Sequence, residues 1–426
     1  MSTQVQSTPA RRAVDRAARW ILGAALLSLT PATPASAFDT CSPVMEWNQF
    51  ALDATVAAGQ GALPHIRSLA IVHASMHDAV NAITGEYATY LASPAPGGAS
   101  PEAAAIAAAH YALAHLFSAQ AMSLKLKRDA SLAACGLDDT NAGISVGETA
   151  AAAIFTLRST DGAAQANFPY VAPGAGLPGV WVVEGAAPPV APGWGKVTPW
   201  VIQSGSQFRP DAPPALDSGR YTRDFNEVKT FGALSGSGRT PTQTNIAIFW
   251  DGSPSAIWNS VARGVITARG LDLSGTARAL ALMYIAAADA SIACFDAKYT
   301  YNFWRPITAI HRADEDGNDN TVPDSGWQPL ITTHQHPEYP SGHSTNSSAM
   351  ATALKLLFGD NPGVPIVATS PRNPTFPRYW TTFTEGVDEV LDARVYIGFH
   401  FRTADEVGAR VGRQVAHFVF NHSLRD

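Results

Sequence analysis

Three short stretches in the second half of this 426-residue chain carry residues whose types and spacing could do chemistry. In "KYTYNFWRP", Lys298 and Arg305 stand seven residues apart, which is two helical turns. If the helix persists, both cations point the same way about 10 Å apart, until Pro306 ends it. The surrounding aromatic residues suggest partly buried cations that need an anion. The alternative is a lysine and an arginine that solvate one helix face.

The second stretch, "HPEYPSGHSTNSSAM", sets Ser341, Gly342 and His343 in front of a small-residue run that predicts a helix. A helix N-terminus offers unpaired N–H groups and a positive dipole end, and glycine lets the backbone approach a ligand. The serine hydroxyl adds a donor, and the histidine can exchange protons with a bound group. This predicts an oxyanion site. The alternative is a serine that only caps the helix beside a surface histidine.

The third stretch, "ARVYIGFHFRTAD", contains Arg394, His400 and Asp405. Six residues on a regular helix rotate by about 240°, so Arg394 and His400 reach one site only if the chain bends, for example at Gly398. An arginine can chelate two oxyanion oxygens. A histidine held by a carboxylate through its other ring nitrogen can serve as a nucleophile or a metal ligand. Asp405 is the candidate for that carboxylate in this stretch.

Taken in chain order, the three stretches resemble the phosphate-site signature of the superfamily of type 2 phosphatidic acid phosphatases and vanadium-dependent haloperoxidases. The lysine–arginine spacing followed by proline and the Pro-Ser-Gly-His element match that pattern in full. The stretches "VMEWN" near residue 45 and "AIVHASMHDAVNAI" also look like the soluble bacterial haloperoxidase-like branch. The chain departs from the superfamily pattern at two positions. Ala393 stands where the superfamily usually has a serine just before the arginine, and Asp405 follows His400 by five residues, whereas the usual aspartate follows by four.

The resemblance implies an all-α fold of two helical bundles, with the anion site in the C-terminal bundle and vanadate as the cofactor. It makes His400 the axial ligand to vanadium and His343 the group that takes a proton from hydrogen peroxide. The implied oxyanion-binding residues are Lys298, Arg305, Ser341, Gly342 and Arg394. Lys298 also polarises the bound group, which halide then attacks to give hypohalous acid. The partners implied are hydrogen peroxide, a halide and an organic acceptor.

The same residues fit two other functions. In a phosphatase, the cations would bind the phosphate of an ester, His400 would attack phosphorus, and His343 would protonate the leaving alcohol. A non-catalytic anion-binding protein would need neither histidine. Within the haloperoxidase-like branch, the position seven before the Ser-Gly-His histidine tends to be Phe in chloroperoxidases and His in bromoperoxidases. Here it is His336, which favours bromide.

Helical periodicity dominates the elements that must position these residues. Apolar positions recur at helical spacing in five stretches, and strand patterns are scarce. The stretches are "RSLAIVHASMHDAVNAI", "PEAAAIAAAHYALAHLF", "TNAGISVGETAAAAIFTL", "SAIWNSVARGVITARG" and "SGTARALALMYIAAADASIACFDAKY". A Gly, Pro and Trp-rich segment, 167–214, cannot be continuous helix. It connects a predicted N-terminal helical half, 38–166, to a C-terminal domain, 215–426.

Residues 1–37 are typical of a signal peptide. Four arginines precede the apolar run "WILGAALLSL", and Ala35-Ser36-Ala37 suits signal peptidase. We expect export to the periplasm or the medium, with the mature chain beginning near Phe38. The run is too short to span a bilayer, and no later integral membrane segment is expected. Cleavage would change the net charge from −6 to −9, because residues 1–37 hold four Arg and one Asp. This acidity argues against nucleic acid as a partner.

The chain contains three cysteines, which permit at most one intramolecular disulfide. Cys41 with Cys135 is the favoured pair, because Cys294 lies inside an apolar helical run. At this length, stability should come mainly from packing.

Overall fold

The part of the chain that the structure describes contains thirteen α-helices, four short 3-10 helices and one two-stranded antiparallel sheet. The computed structural model describes residues 41–92, 94–95 and 97–426. The predicted signal peptide lies outside these residues and stays a prediction. The mostly helical fold confirms the expected fold class, and each of the five stretches with helical periodicity lies largely within a helix. The boundaries expected at 166 and 214 stay predictions.

The N-terminal bundle consists of α1 (Pro43–Ala57), α2 (Ala62–Thr84), α3 (Pro101–Leu116), α4 (Ala121–Ala134) and α5 (Gly143–Ser159). Helices α2, α3 and α5 pack on one another, while α1 and α4 pack on α3. The alanines of α3 allow close approach: a Cβ on Gly147 would lie 2.2 Å from the Ala104 carbonyl oxygen. The favoured Cys41–Cys135 disulfide is confirmed, and Cys294 is a buried free thiol.

The second half of the described chain contains eight α-helices and the two-stranded sheet. The helices are α6 (Gly219–Gly232), α7 (Pro241–Phe249), α8 (Pro254–Arg269), α9 (Leu273–Tyr301), α10 (Pro306–His311), α11 (Gly342–Phe358), α12 (Phe383–Tyr396) and α13 (Arg402–His422). Strands β1 (Ile366–Ala368) and β2 (Arg378–Trp380) pair antiparallel, with Ile366 opposite Trp380. The candidate site residues all lie in this half.

Helix α9 packs against α2 of the N-terminal bundle and against α11 and α13 of the C-terminal one. It is long and apolar enough to cross a membrane, but 94% of its most apolar window is buried in the protein. Its apolar length therefore serves the core. Helices α11 and α13 touch backbone to backbone, since a Cβ on Gly412 would lie 2.1 Å from the Thr345 carbonyl oxygen. This close crossing fixes the start of α11 against α13.

The Gly, Pro and Trp-rich segment is anchored at two places along its path. Buried Asp289 of α9 accepts hydrogen bonds from three consecutive backbone N–H groups, Trp200, Val201 and Ile202, at 2.7–3.0 Å. Nearer its start, the segment binds Gln335, whose side chain accepts from the Glu184 N–H at 2.8 Å. The segment therefore packs against the residues that lead into Pro-Ser-Gly-His.

Candidate active site

The two cations of the first stretch meet at the backbone of residues 336–338. The Lys298 ammonium donates to the carbonyls of Pro337 and Glu338 at 2.8 and 2.9 Å. The Arg305 guanidinium donates through Nε to the His336 carbonyl at 2.9 Å and through Nη1 to the Phe399 carbonyl at 3.0 Å. Both side chains are fully buried. The two cations thus converge, as the spacing suggested, but through different elements.

We expected one helix to carry both cations, and the structure corrects this expectation. Helix α9 ends at Tyr301, because Asn302 adopts a left-handed conformation with φ 48° and its N–H caps the Lys298 carbonyl. Arg305 is instead the N-cap of α10, whose first residue is Pro306. Lys298 therefore reaches the site from a helix end and Arg305 from the connection after it. The seven residues from Lys298 to Arg305 therefore span the end of α9 and the connection after it, and not two turns of one helix.

Ser341 caps α11, as in the alternative to a ligand-binding role, and the helix N-terminus faces Lys298. The Ser341 hydroxyl accepts from the Ser344 N–H, and the first helical bond runs from the Thr345 N–H to the Ser341 carbonyl at 3.0 Å. The N–H groups of Gly342 and His343 precede that bond, so they are the ones a helix start offers to a ligand. A Cβ on Gly342 would meet Lys298 Cε at 3.9 Å, an ordinary contact, so this side of the backbone is open.

Arg394 and His400 are brought together by the bend predicted at Gly398. Helix α12 ends at Tyr396, Gly398 has φ 84°, and α13 begins at Arg402. A Cβ on Gly398 would lie 2.7 Å from the Gly232 carbonyl oxygen, so this position needs glycine for both space and conformation. Arg394 donates to the Trp250 carbonyl at 2.9 Å and lies over the Phe399 ring. The bend turns His400 back toward Arg305, with Nε2 3.4 Å from Arg305 Nη1.

The predicted carboxylate partner of His400 was wrong. His400 Nδ1 lies 2.8 Å from an oxygen of Glu338, which also accepts from the Phe401 N–H at 3.0 Å. Asp405 instead accepts from the Ser344 hydroxyl at 2.8 Å, and the Ser341 hydroxyl faces the same carboxyl. Asp405 lies in the first turn of α13, which packs against α11. Asp405 supports Ser341 at the start of α11, whereas Glu338 binds His400.

Burial without full charge compensation shifts the pKa values of these groups. Burial lowers the pKa of Lys298 to about 7 and that of Arg394 to about 10. It also lowers the pKa of Arg305 and raises that of Glu338, while the charges of Lys298 and Arg305 oppose the shift at Glu338. An anion beside the cations would restore their charged forms. The electrostatics therefore favour an oxyanion as the ligand.

The proton-exchange candidate His343 is neutral at neutral pH. Burial and then the charge of Arg394 hold its pKa well below the usual value, and its ring hydrogen-bonds to the backbone of Gly252. Within the described residues its Nε2 has no hydrogen-bond partner. A neutral ring that donates through one nitrogen presents a lone pair on the other. His343 can thus accept a proton from a group bound at the start of α11.

His336, the halide-pocket candidate, lies at the edge of the site. Its Nδ1 accepts from Arg305 Nη2 at 2.9 Å, and its ring packs against Phe295 and stacks on His334. It is half-buried, whereas Arg305 beneath it is fully buried. The structure places His336 next to the oxyanion-binding residues, and its role toward halide stays a prediction.

Glu338 and the segment at Trp250 and Asp251 were missed in the sequence. Glu338 stands inside "HPEYPSGH", five residues before His343, so an acidic residue beside the recognised element was a usable signal. The Trp250 carbonyl binds Arg394, and the charge of Asp251 acts on the same arginine. Trp250 and Asp251 lie more than 140 residues before Arg394 in the sequence, and no spacing rule connects them to it.

Comparisons with known proteins indicate one family of helical-bundle proteins. Residues 278–425 match the family described as the VCPO second helical-bundle domain. The chain is 28% identical over 160 residues to vanadium chloroperoxidase from Curvularia inaequalis, a match to 31% of this chain that spans only 25% of that protein. The crystal structure of a bacterial vanadium-dependent iodoperoxidase superposes with a TM-score of 0.78 and 25% identity, over 91% of this chain and 98% of that one.

A second solved structure shares the fold. The apo form of a bacterial vanadium-dependent chloroperoxidase superposes with a TM-score of 0.66 and 18% identity, over 84% of this chain and 93% of that one. These likenesses support the two-bundle architecture described above.

Gly342→Ala should separate anion binding from stability. The position is open and lies in the first turn of a helix, so alanine should leave the free energy of unfolding within about 1 kcal/mol or raise it slightly. The added methyl group would lie between Lys298 and the backbone N–H groups, so phosphate affinity should fall by roughly 10–100-fold. Urea unfolding and phosphate titration calorimetry measure the two effects. Unchanged phosphate affinity in a stable variant would remove the start of α11 from the site.

Proposed function

Because this chain belongs to the vanadium haloperoxidase superfamily, we propose that it oxidises a halide with hydrogen peroxide to hypohalous acid, using vanadate held at this site. The observation that carries the proposal is the convergence of three buried cations on His400: Arg305 Nη1 lies 3.4 Å from His400 Nε2, and the charges of Lys298 and Arg394 also act on the ring. Proteins similar to this chain include a vanadium chloroperoxidase and a bacterial vanadium-dependent iodoperoxidase.

The donor set fits vanadate. An ammonium has three N–H donors, and Lys298 uses two of them on backbone carbonyls, which leaves one for an oxyanion. Arg394 donates through Nη1 to the Trp250 carbonyl, and within the described residues its buried Nε has no hydrogen-bond partner. Unsatisfied buried donors of this kind are costly unless a ligand accepts from them. An oxyanion of the size of vanadate or phosphate supplies such acceptors.

Each residue would then have a distinct task. Lys298, Arg305 and Arg394, with the Gly342 N–H, would hold the oxygens by charge-assisted and backbone hydrogen bonds. The Ser341 hydroxyl would join them by turning its hydrogen from Asp405 to the ligand. His400 would offer the Nε2 lone pair to vanadium. When bound, vanadate supplies a Lewis-acid centre that activates hydrogen peroxide without changing its own oxidation state. His343 would take a proton from hydrogen peroxide through Nε2, and Lys298 would stabilise negative charge on the adjacent oxygen.

Bromide is the halide we propose to test first. The support is His336 at the position that tends to be histidine in bromoperoxidases, next to Arg305. The organic acceptor would be halogenated by the hypohalous acid that this reaction releases.

We also propose that the protein is exported. The support is the Cys41–Cys135 disulfide, since such bonds persist mainly in oxidising compartments. N-terminal sequencing of protein recovered from the periplasm or the medium should begin near Phe38. Recovery of the full-length chain from the cytoplasm alone would contradict export.

Bromide oxidation should appear only after vanadate is added, and inorganic phosphate should inhibit it. Both anions compete for Lys298, Arg305 and Arg394, so the inhibition should be competitive with vanadate. Bromination of an indicator dye, with chloride and iodide in parallel and a phosphate-ester assay beside it, measures this. Activity that survives vanadium removal would contradict the proposal. Ester hydrolysis as the main activity, inhibited by vanadate, would identify the protein as a phosphatase.

His400→Ala and His343→Ala should fail in different ways. His400→Ala loses the nitrogen that bonds vanadium, so vanadate affinity and nearly all activity should be lost. His343→Ala should still bind vanadate but turn over about 10²–10⁴-fold more slowly, as expected for loss of a general acid–base group. Vanadate titration and bromide turnover measure both variants, with His417→Ala on the exposed face of α13 as the control. Normal vanadate affinity in His400→Ala would refute its role as a ligand.

A further inference from the structure

Glu338 links the two sides of the site. Its side chain accepts from His400 Nδ1 and from the Phe401 N–H, and its backbone carbonyl accepts from Lys298. Its own N–H donates to the Phe303 carbonyl at 2.9 Å. The residue is fully buried, so these contacts hold both its backbone and its carboxyl in place. A movement of Glu338 would therefore displace the ammonium on one side and the imidazole on the other.

The neighbours of His400 fix which of its nitrogens carries the proton. Arg305 Nη1, 3.4 Å from Nε2, has only hydrogens to offer, so a proton on Nε2 would point at another donor. The proton must then sit on Nδ1, where a Glu338 oxygen 2.8 Å away accepts it. His400 is left with a lone pair on Nε2.

We propose that Glu338 is a positioning residue that holds His400 with Nε2 unprotonated and thereby makes the site prefer vanadate over phosphate. This inference deepens the proposed function and rests on it in one respect, that His400 bonds the central atom of the oxyanion.

The preference follows from how the two oxyanions are held. Vanadium accepts a fifth ligand in its resting state, whereas phosphorus does so only in the transition state of phosphoryl transfer. Hydrogen bonds from Lys298, Arg305 and Arg394 stabilise bound vanadate and bound phosphate alike, but a nitrogen lone pair stabilises only bound vanadate. A carboxylate behind the imidazole raises the basicity of the ligating nitrogen and fixes its direction. For phosphate, the same carboxylate is only a nearby negative charge that weakens binding.

Two variants separate the charge of Glu338 from its hydrogen bond. Glu338→Gln keeps an oxygen acceptor for Nδ1–H but loses the charge, whereas Glu338→Leu loses both. Asp405→Asn is the matched control, because it removes another fully buried carboxyl near the cations that binds Ser344 and not the imidazole. The measurements on vanadium-free protein are the proton position on His400, by ¹⁵N NMR of labelled histidine, and the affinities for orthovanadate and inorganic phosphate by calorimetry.

The expected results for vanadate and phosphate run in opposite directions. Glu338→Leu should lower vanadate affinity by roughly 10–100-fold and leave phosphate affinity unchanged or increased. Its His400 should populate both tautomers. Glu338→Gln should keep the Nδ1–H tautomer and lower the vanadate-to-phosphate affinity ratio several-fold. Asp405→Asn should leave that ratio unchanged.

Two results would overturn the proposal. One is an Nε2–H tautomer in the unmodified protein. The other is an unchanged vanadate-to-phosphate ratio in Glu338→Gln, which carries the test if Glu338→Leu does not fold. Absence of bromide oxidation would count only against the proposed function, because the tautomer and the affinity ratio are measured without turnover.

Discussion

Three cations, Lys298, Arg305 and Arg394, are buried at one place in the C-terminal half of the protein, and the arrangement around them follows from that burial. A buried charge costs several kcal/mol unless hydrogen bonds and opposite charges compensate it. Much of the compensation here comes from backbone carbonyls, whose dipoles are weaker than full charges. The lowered pKa of Lys298 reflects this shortfall. An oxyanion completes the compensation, so affinity for such a ligand is built into the fold.

Carbonyl oxygens can hold cations in fixed positions only if the backbone that carries them is rigid. Residues 336–338 meet this need because they are tied on both sides, to the Gly, Pro and Trp-rich segment through Gln335 and to the α9–α10 connection through Glu338. The contact between α11 and α13 then fixes the helix start opposite these carbonyls. The two bundles therefore act as a frame, and the functional groups lie at helix ends and in connections, where backbone groups remain available.

Local sequence signals predicted much of this. Periodicity predicted the long helices, the small-residue run after Ser341 was correctly expected as a helix, and Gly398 was correctly expected as the bend before His400. The failures concern contacts between residues of different elements. Helix α9 stops at Asn302 because that residue turns left-handed, so Arg305 arrives from another element. The partner of His400 is 62 residues earlier in the chain, and only the assembled fold brings Glu338 to it while Asp405 turns to Ser344.

A crystal structure of the vanadate-loaded protein tests the central claim most directly. The account predicts continuous density between vanadium and His400 Nε2, with the oxygens within hydrogen-bond distance of Lys298, Arg305, Arg394 and the Gly342 N–H. Glu338 should still accept from His400 Nδ1. Vanadate seated away from the start of α11, or seated there without a bond to His400, would contradict the account.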